Sequence, residues 1–189
     1  MKKYHKDYVF EIGTGKDGKE EKRYRYAGDY YLFPDAEAEK KKIFIKNFAF
    51  VLLYFSLIIT AGMLDNEGNR NFFIAVPYVF LFLPAVYLSL GTAAALKLNE
   101  KMERPVYDRA FGRMYRNCIG IMSVSLYLCI ADSIFILLRF YGGEDFLVVR
   151  EVVFLFENIA IFCLSFIQKK YLQNLKKGVM IGKYNNEVP

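Results

Sequence analysis

Three carboxylates interrupt the long apolar stretches of this 189-residue chain: Asp132, Glu151 and Glu157. On insertion scales a charge at the centre of a bilayer costs at least about 2.5–3.5 kcal/mol, so an acid kept at such a depth is a functional candidate. Two kinds of chemistry suit it. One is a proton relay or a cation site. The other is packing, in which protonated or arginine-paired acids bond one helix to the next. Asp132 lies six residues before Leu138, close to the expected end of its apolar segment. At 1.5 Å per residue that is about 9 Å deep. Glu157 lies at a matching depth on the next segment, and Glu151 lies nearer the rim. Arg139 follows Asp132 by seven residues and Arg150 precedes Glu157 by seven, two helical turns in each case. Asn158 and Ser133 add hydrogen-bonding groups. The expectation is a polar cluster of Asp132, Glu157, Glu151, Arg139, Arg150 and Asn158 between two antiparallel helices, with Asp132 facing Glu157.

Other chemistries lack their residues. The only histidine is His5, in a polar tail, which excludes Ser–His proteolysis and histidine-based metal chemistry; no H-E-x-x-H is present. Cys118, Cys129 and Cys163 form no C-x-x-C pair, hence neither a disulfide framework nor a zinc site. They read as small buried hydrophobes. Gly13, Gly15 and Gly18 match the spacing of a dinucleotide fingerprint. That fingerprint needs a helix opening at the glycines inside a βαβ unit, whereas Arg23-Tyr24-Arg25-Tyr26 follows here and an apolar block begins at Ile43. A P-loop fails too, because Asp17 stands after Lys16 where Ser or Thr would hold magnesium. The expectation is therefore a non-enzyme, with no catalytic residue, no cofactor and no metal.

The elements that carry the acids follow from where the apolar residues fall. The chain is 54% hydrophobic with a net charge of +6. Its apolar residues gather in four blocks, about 43–64, 72–98, 117–138 and 148–168. About 20 apolar residues cross a bilayer as a helix. Lysine and arginine number 23 in the two tails and the middle loop, against 3 in the other two loops. The positive-inside rule then puts both termini in the cytoplasm. The polar first 42 residues lack a cleavable signal. Short loops force antiparallel neighbours, so an all-α, up-down four-helix transmembrane bundle is expected over 35–177. The composition, rich in Lys, Ile, Phe and Tyr, suits a bacterial chain and so the cytoplasmic membrane.

Several finer features are legible. Tyr8, Phe10 and Ile12 alternate with polar neighbours, as do the residues around Tyr24 and Tyr26, with Asp17-Gly18 between them. That pattern reads as a β-hairpin within a cytoplasmic segment, 1–34. A lone hairpin is marginal in water, so it must pack on the helix ends. Tyr30, Tyr31, Leu32 and Phe33 suit the headgroup level, where aromatics anchor. Asp35 after Pro34 reads as an N-cap, and the second helix can run on to Met102 before Pro105 resets the chain. The fourth helix can continue through Lys177 to Gly178, leaving a cytoplasmic tail, 178–189. Pro77 and Pro84, seven apart, bend the second helix. Gly91 and Ala95 form a small-x-x-x-small pair for close packing, within the protomer or in a dimer.

The functional expectation is an accessory or interaction protein of the cytoplasmic membrane. Its expected partners are a bilayer with anionic headgroups and another membrane protein or a second copy, with no role for nucleic acid. The rival is an oligomeric small transporter or channel coupled through Asp132 and Glu157.

Overall fold

The computed structural model describes residues 2–14, 20–32, 36–97, 99–142 and 148–182. Four long helical segments form the body of the molecule. The first is α1, Ala36–Met63. The second is α2, Phe72–Phe80, and α3, Phe82–Ala94, prolonged by a 3-10 turn over Ala95–Lys97. The third starts as α4, Arg104–Tyr107, passes through a π turn over Asp108–Gly112, and continues as α5, Arg113–Gly142. The fourth is α6, Val148–Lys177. Each segment touches the next and α6 returns to α1, so the four close into an up-down ring.

Three of these segments are long and apolar enough to cross a membrane: Glu39–Met63, Phe72–Lys97 and Arg104–Gly142. α6 is not among those three and carries Glu151, Glu157, Asn158 and Gln168 along its 30 residues. Buried positions recur on every helix at alternating spacings of three and four, the seam of a left-handed bundle. On α5 they are Met114, Cys118, Ile121, Ser125, Leu128 and Asp132. On α6 they are Glu151, Phe154, Asn158, Ile161, Ser165, Gln168 and Leu172. Every third or fourth residue turned inward is thus often polar, while the outward faces carry Leu52, Leu53, Val79, Leu83, Ile130, Ile134, Phe156 and Ile159. A water-soluble bundle has the opposite polarity.

The proline expectation resolves into two pieces of geometry. Pro77 sits inside α2 and cannot donate to the Phe73 carbonyl. The Tyr127 hydroxyl of α5 donates to that carbonyl instead, at 3.3 Å. The helix is then interrupted at Leu81, before Pro84 enters the first turn of α3. Gly120 of α5 lies beside the Pro84 ring, where a Cβ would make ordinary contact at 3.4 Å.

Two antiparallel sheets lie together at the end of the bundle where α1 begins and α6 stops. The hairpin pairs β1, Tyr8–Thr14, with β2, Glu20–Tyr26, from Tyr8 opposite Tyr26 to Thr14 opposite Glu20. Its Asp17-Gly18 turn lies outside the described residues, as do Phe33, Pro34 and the expected cap Asp35. The second sheet was not foreseen. β3, Tyr30–Leu32, is its central strand, flanked by β4, Lys101–Glu103, and β5, Met180–Gly182. One expectation is corrected by it: the second helix does not reach Met102, because 101–103 is extended and paired with 30–32. Tyr30, Tyr31 and Leu32 are strand residues, and 180–182 after Gly178 is a strand, with 183–189 outside the described residues. The third segment also runs past the expected loop start, since Arg139, Tyr141 and Gly142 are helical.

Tyr26 joins the hairpin to the bundle. It is 5% exposed, with its ring edge-on to Tyr8 and Tyr30. Its hydroxyl donates to the Asp29 carbonyl at 2.9 Å and accepts from the Arg104 amide at 3.1 Å. The Arg104 amide is a first-turn donor with no partner inside its own helix, and Glu103 offers no side-chain cap. A tyrosine from the hairpin therefore caps the third segment. Burial, first, raises the Tyr26 phenol above its ordinary range, so it stays neutral and able to do both. Gly28 is required beside it, since a Cβ there would meet the Tyr26 hydroxyl at 2.8 Å. Tyr26→Phe is expected to cost about 1–2 kcal/mol and to expose the first turn of α4. Amide hydrogen exchange at 103–107 should speed up while exchange in α6 stays unchanged.

Candidate functional site

The interior of the ring holds a column of polar side chains, and its two ends differ. At the end opposite the sheets, the turn between α1 and α2 folds back onto the bundle. Its alternate residues face opposite ways. Asp65 and Glu67 face out and meet arginines: Arg70 reaches Asp65 at 2.9 Å, Arg150 reaches Asp65 at 3.2 Å, and Arg139 reaches Glu67 at 3.0 Å. Asn66 and Gly68 face in and meet Glu151. The Asn66 amide donates to Glu151 Oε2 and the Gly68 backbone amide donates to Glu151 Oε1, both at 2.9 Å. Glu151 is 1% exposed and Asp132 is 0% exposed. The two carboxyl groups lie within hydrogen-bonding reach of each other. As carboxylates both accept, so neither Asp132 oxygen has a donor.

This differs from the expected cluster in its pairing. Asp132 and Glu151 come together, whereas Glu157 stands apart from them with Oε2 buried and without a hydrogen-bond partner, and the Tyr78 hydroxyl of α2 donates to the Ile58 carbonyl. Arg139 and Arg150 bond the turn rather than the acids. The physical reason lies in the heptad seam. Positions 151 and 158 are both inward on α6, and 157 is one residue off that line, a rotation of about 100°. Asn158 is fully buried in the seam, its amide donating to the Phe154 carbonyl at 2.9 Å and its oxygen unpartnered. Ser133, one residue off the α5 seam, donates to the Cys129 carbonyl at 2.7 Å.

Toward the sheets the column is bonded throughout. Cys118 donates its thiol to the Ser165 carbonyl at 3.1 Å. Beyond it, Gln168 of α6 donates to Asn47 Oδ1 at 3.0 Å and accepts from the Tyr54 hydroxyl at 3.0 Å, both on α1. Asn47 donates in turn to the Ile43 carbonyl at 2.9 Å. All three side chains are fully buried. Sequence reasoning missed this triad and the inward Asn66. Part of the signal was present in the spacing of seven between Asn47 and Tyr54. Of the cysteines, Cys118 is buried, Cys129 half-buried and Cys163 exposed on the apolar outside. The Gly91–Ala95 pair lies inside the protomer, where α3 meets the start of α5.

Against the sheets, Tyr4, His5, Tyr8, Phe10, Tyr24, Pro105 and Arg109 line a groove of about 720 Å³. Tyr8 donates to Glu103 at 3.2 Å and Tyr4 to Asp108 at 2.8 Å, which fixes its floor. Phe10 and Tyr24 stand exposed at its edge. Among the described residues, no group of three or more His, Cys, Asp or Glu side chains converges to hold a metal. Comparison with family models, with curated proteins and with solved structures returned no match.

Proposed function

We propose that this chain is a small non-enzymatic protein of the cytoplasmic membrane, with four spans and both termini inside, that acts by associating with another membrane protein. One observation carries the reading. Three segments remote in sequence, 30–32, 101–103 and 180–182, are gathered into one sheet at one end of the bundle. With the hairpin they make a folded platform, whereas the opposite end has only a short turn on its described side. An investment in structure on one side marks the working side. The basic residues favour the same side, which the positive-inside rule assigns to the cytoplasm and which suits anionic headgroups. Membership of α6 in the membrane is supported by its outward face of Val149, Val153, Phe156, Ile159, Phe166 and Ile167, with its polar residues turned inward.

A photo-crosslinking residue at Tyr24, 71% exposed on the platform, is expected to trap a discrete partner in intact cells. The same residue at Tyr141, 84% exposed at the other end, is expected to trap none. Adducts from Tyr141 alone, or a bare monomer from both, would remove the reading. The second reading, an oligomeric transporter or channel, draws on the unpartnered Asp132 oxygens. It predicts liposome flux that Asp132→Asn abolishes.

A further inference from the structure

We infer that the groove between the hairpin and the start of the third segment binds a free, flat aromatic anion, an aryl phosphate or carboxylate, with Arg109 as its anchor. Alternation puts Tyr8 and Phe10 on one face of β1. The register sets Tyr26 opposite Tyr8 and Tyr24 opposite Phe10, so the four rings share that face. Tyr26 is spent on capping the third segment. The other three line the groove together with Tyr4, and Pro105 and Arg109 line it from the third segment. The rings are held in place by bonds of their own. Tyr8 donates to Glu103 and stands edge-on to Tyr26, Tyr4 donates to Asp108, and Phe10 meets Tyr24 edge to face at 5.8 Å. A volume of about 720 Å³ falls in the range of small-molecule sites.

The charge that faces the groove sets the sign of the ligand. Arg109 is exposed there and, among the described residues, has no acid within ion-pair distance. Arg70, Arg139 and Arg150, by contrast, each hold a carboxylate of the α1–α2 turn. Among the described residues no carboxylate lines the groove; Glu103 and Asp108 accept from the Tyr8 and Tyr4 hydroxyls instead. His5 adds an imidazole N–H to the lining. A guanidinium takes a phosphate or carboxylate through two parallel N–H bonds. Aromatic walls take a flat ring edge-on or offset-stacked. A lipid headgroup offers the phosphate without the ring, so the walls favour a free aromatic ligand. The site does not depend on the protein partner proposed above.

The test is calorimetric titration of 1-naphthyl phosphate into the purified full chain in an uncharged detergent, with empty micelles as the blank. Saturable binding at one site per chain is expected. Glycerol 3-phosphate, which has the phosphate of a lipid headgroup and no ring, should bind about tenfold more weakly or worse. Arg109→Gln should weaken naphthyl phosphate about tenfold or more, and Tyr24→Ala about threefold or more. Both side chains are exposed, so helical circular dichroism should be unchanged. Arg116→Gln makes the same charge change two turns along the helix and should leave binding as it was. No saturable binding, or equal binding by 1-naphthylmethylammonium, would overturn the inference. Equal binding by glycerol 3-phosphate would make the occupant a headgroup and overturn it too. So would a loss in Arg116→Gln as large as in Arg109→Gln, or a dimer in sedimentation that Tyr24→Ala dissociates.

Discussion

Leucine at Gly91 is expected to be the most damaging single substitution in the bundle. Gly91 is buried where α3 crosses the start of α5. A bare Cβ there would already stand 2.8 Å from Met114 Cγ, 3.1 Å from the Met114 amide nitrogen and 3.3 Å from the Ala110 carbonyl. The methionine can swing away, but two of those three atoms are backbone and cannot. Ala110 belongs to the π turn, so the contact also fixes the place where the third segment changes pitch. A leucine adds three more carbons and must push the two helices apart. Overpacking of this kind costs about 1–3 kcal/mol and more when backbone must move. Detergent-unfolding titrations should register that loss, with Gly91→Ala falling between. Gly112→Ala is the control, because a Cβ there would meet only Asp108 of its own turn, at 3.3 Å or beyond. The loss should not change with protein concentration, since the contact lies within one protomer. A concentration-dependent loss would mean that Gly91 serves a dimer instead.

The small residues at 91 and 95 were legible because packing in lipid depends on close approach, which a sequence states directly. The four helices were legible for a similar reason. Their apolar runs, and the charge between them, are set by the solvent and need no knowledge of the partner helix. Which acid meets which was not legible from depth alone. Asp132 and Glu157 read as level from the ends of their apolar blocks, but Asp132 meets Glu151, which leaves Glu157 six residues, about 9 Å, farther along α6; facing also depends on rotation, and rotation is carried by the seam. Read at a period of seven, Glu151 and Asp132 fall on inward lines and Glu157 does not. Strand pairing at the sheet end was illegible for another reason. Lys101–Glu103 and Met180–Gly182 are three residues each, too short to carry a period, and only the tertiary fold brings them to Tyr30–Leu32.

The inward polarity has a physical consequence for what holds the ring together. Between helices in lipid, burying apolar surface gains little, because the tails are as apolar as leucine. The outward leucines and phenylalanines therefore set insertion, while specificity falls to packing and to interior hydrogen bonds. The two ends of the column then play unlike parts. The Gln168 end is satisfied by its own side chains. At the Asp132 end both Asp132 oxygens are buried without a donor among the described residues.

Gln168→Leu is the second substitution with a large expected effect, and it tests that contrast. Leucine keeps most of the volume but ends both bonds from α6 to α1. Asn47 Oδ1 loses its donor and the Tyr54 hydroxyl loses its acceptor, both in a dry interior. A single interhelical bond in a membrane averages roughly 0.6 kcal/mol, while stranding a buried polar group costs about 1–3 kcal/mol. The expected loss is about 2 kcal/mol. Tyr54→Phe alone strands the Gln168 oxygen and should cost about 1 kcal/mol. In the double variant the Tyr54 hydroxyl is no longer there to be stranded, so the combined loss should be smaller than the sum of the two. Strict additivity would mean that these three side chains do not act as one network, and that α1 and α6 are joined by shape alone.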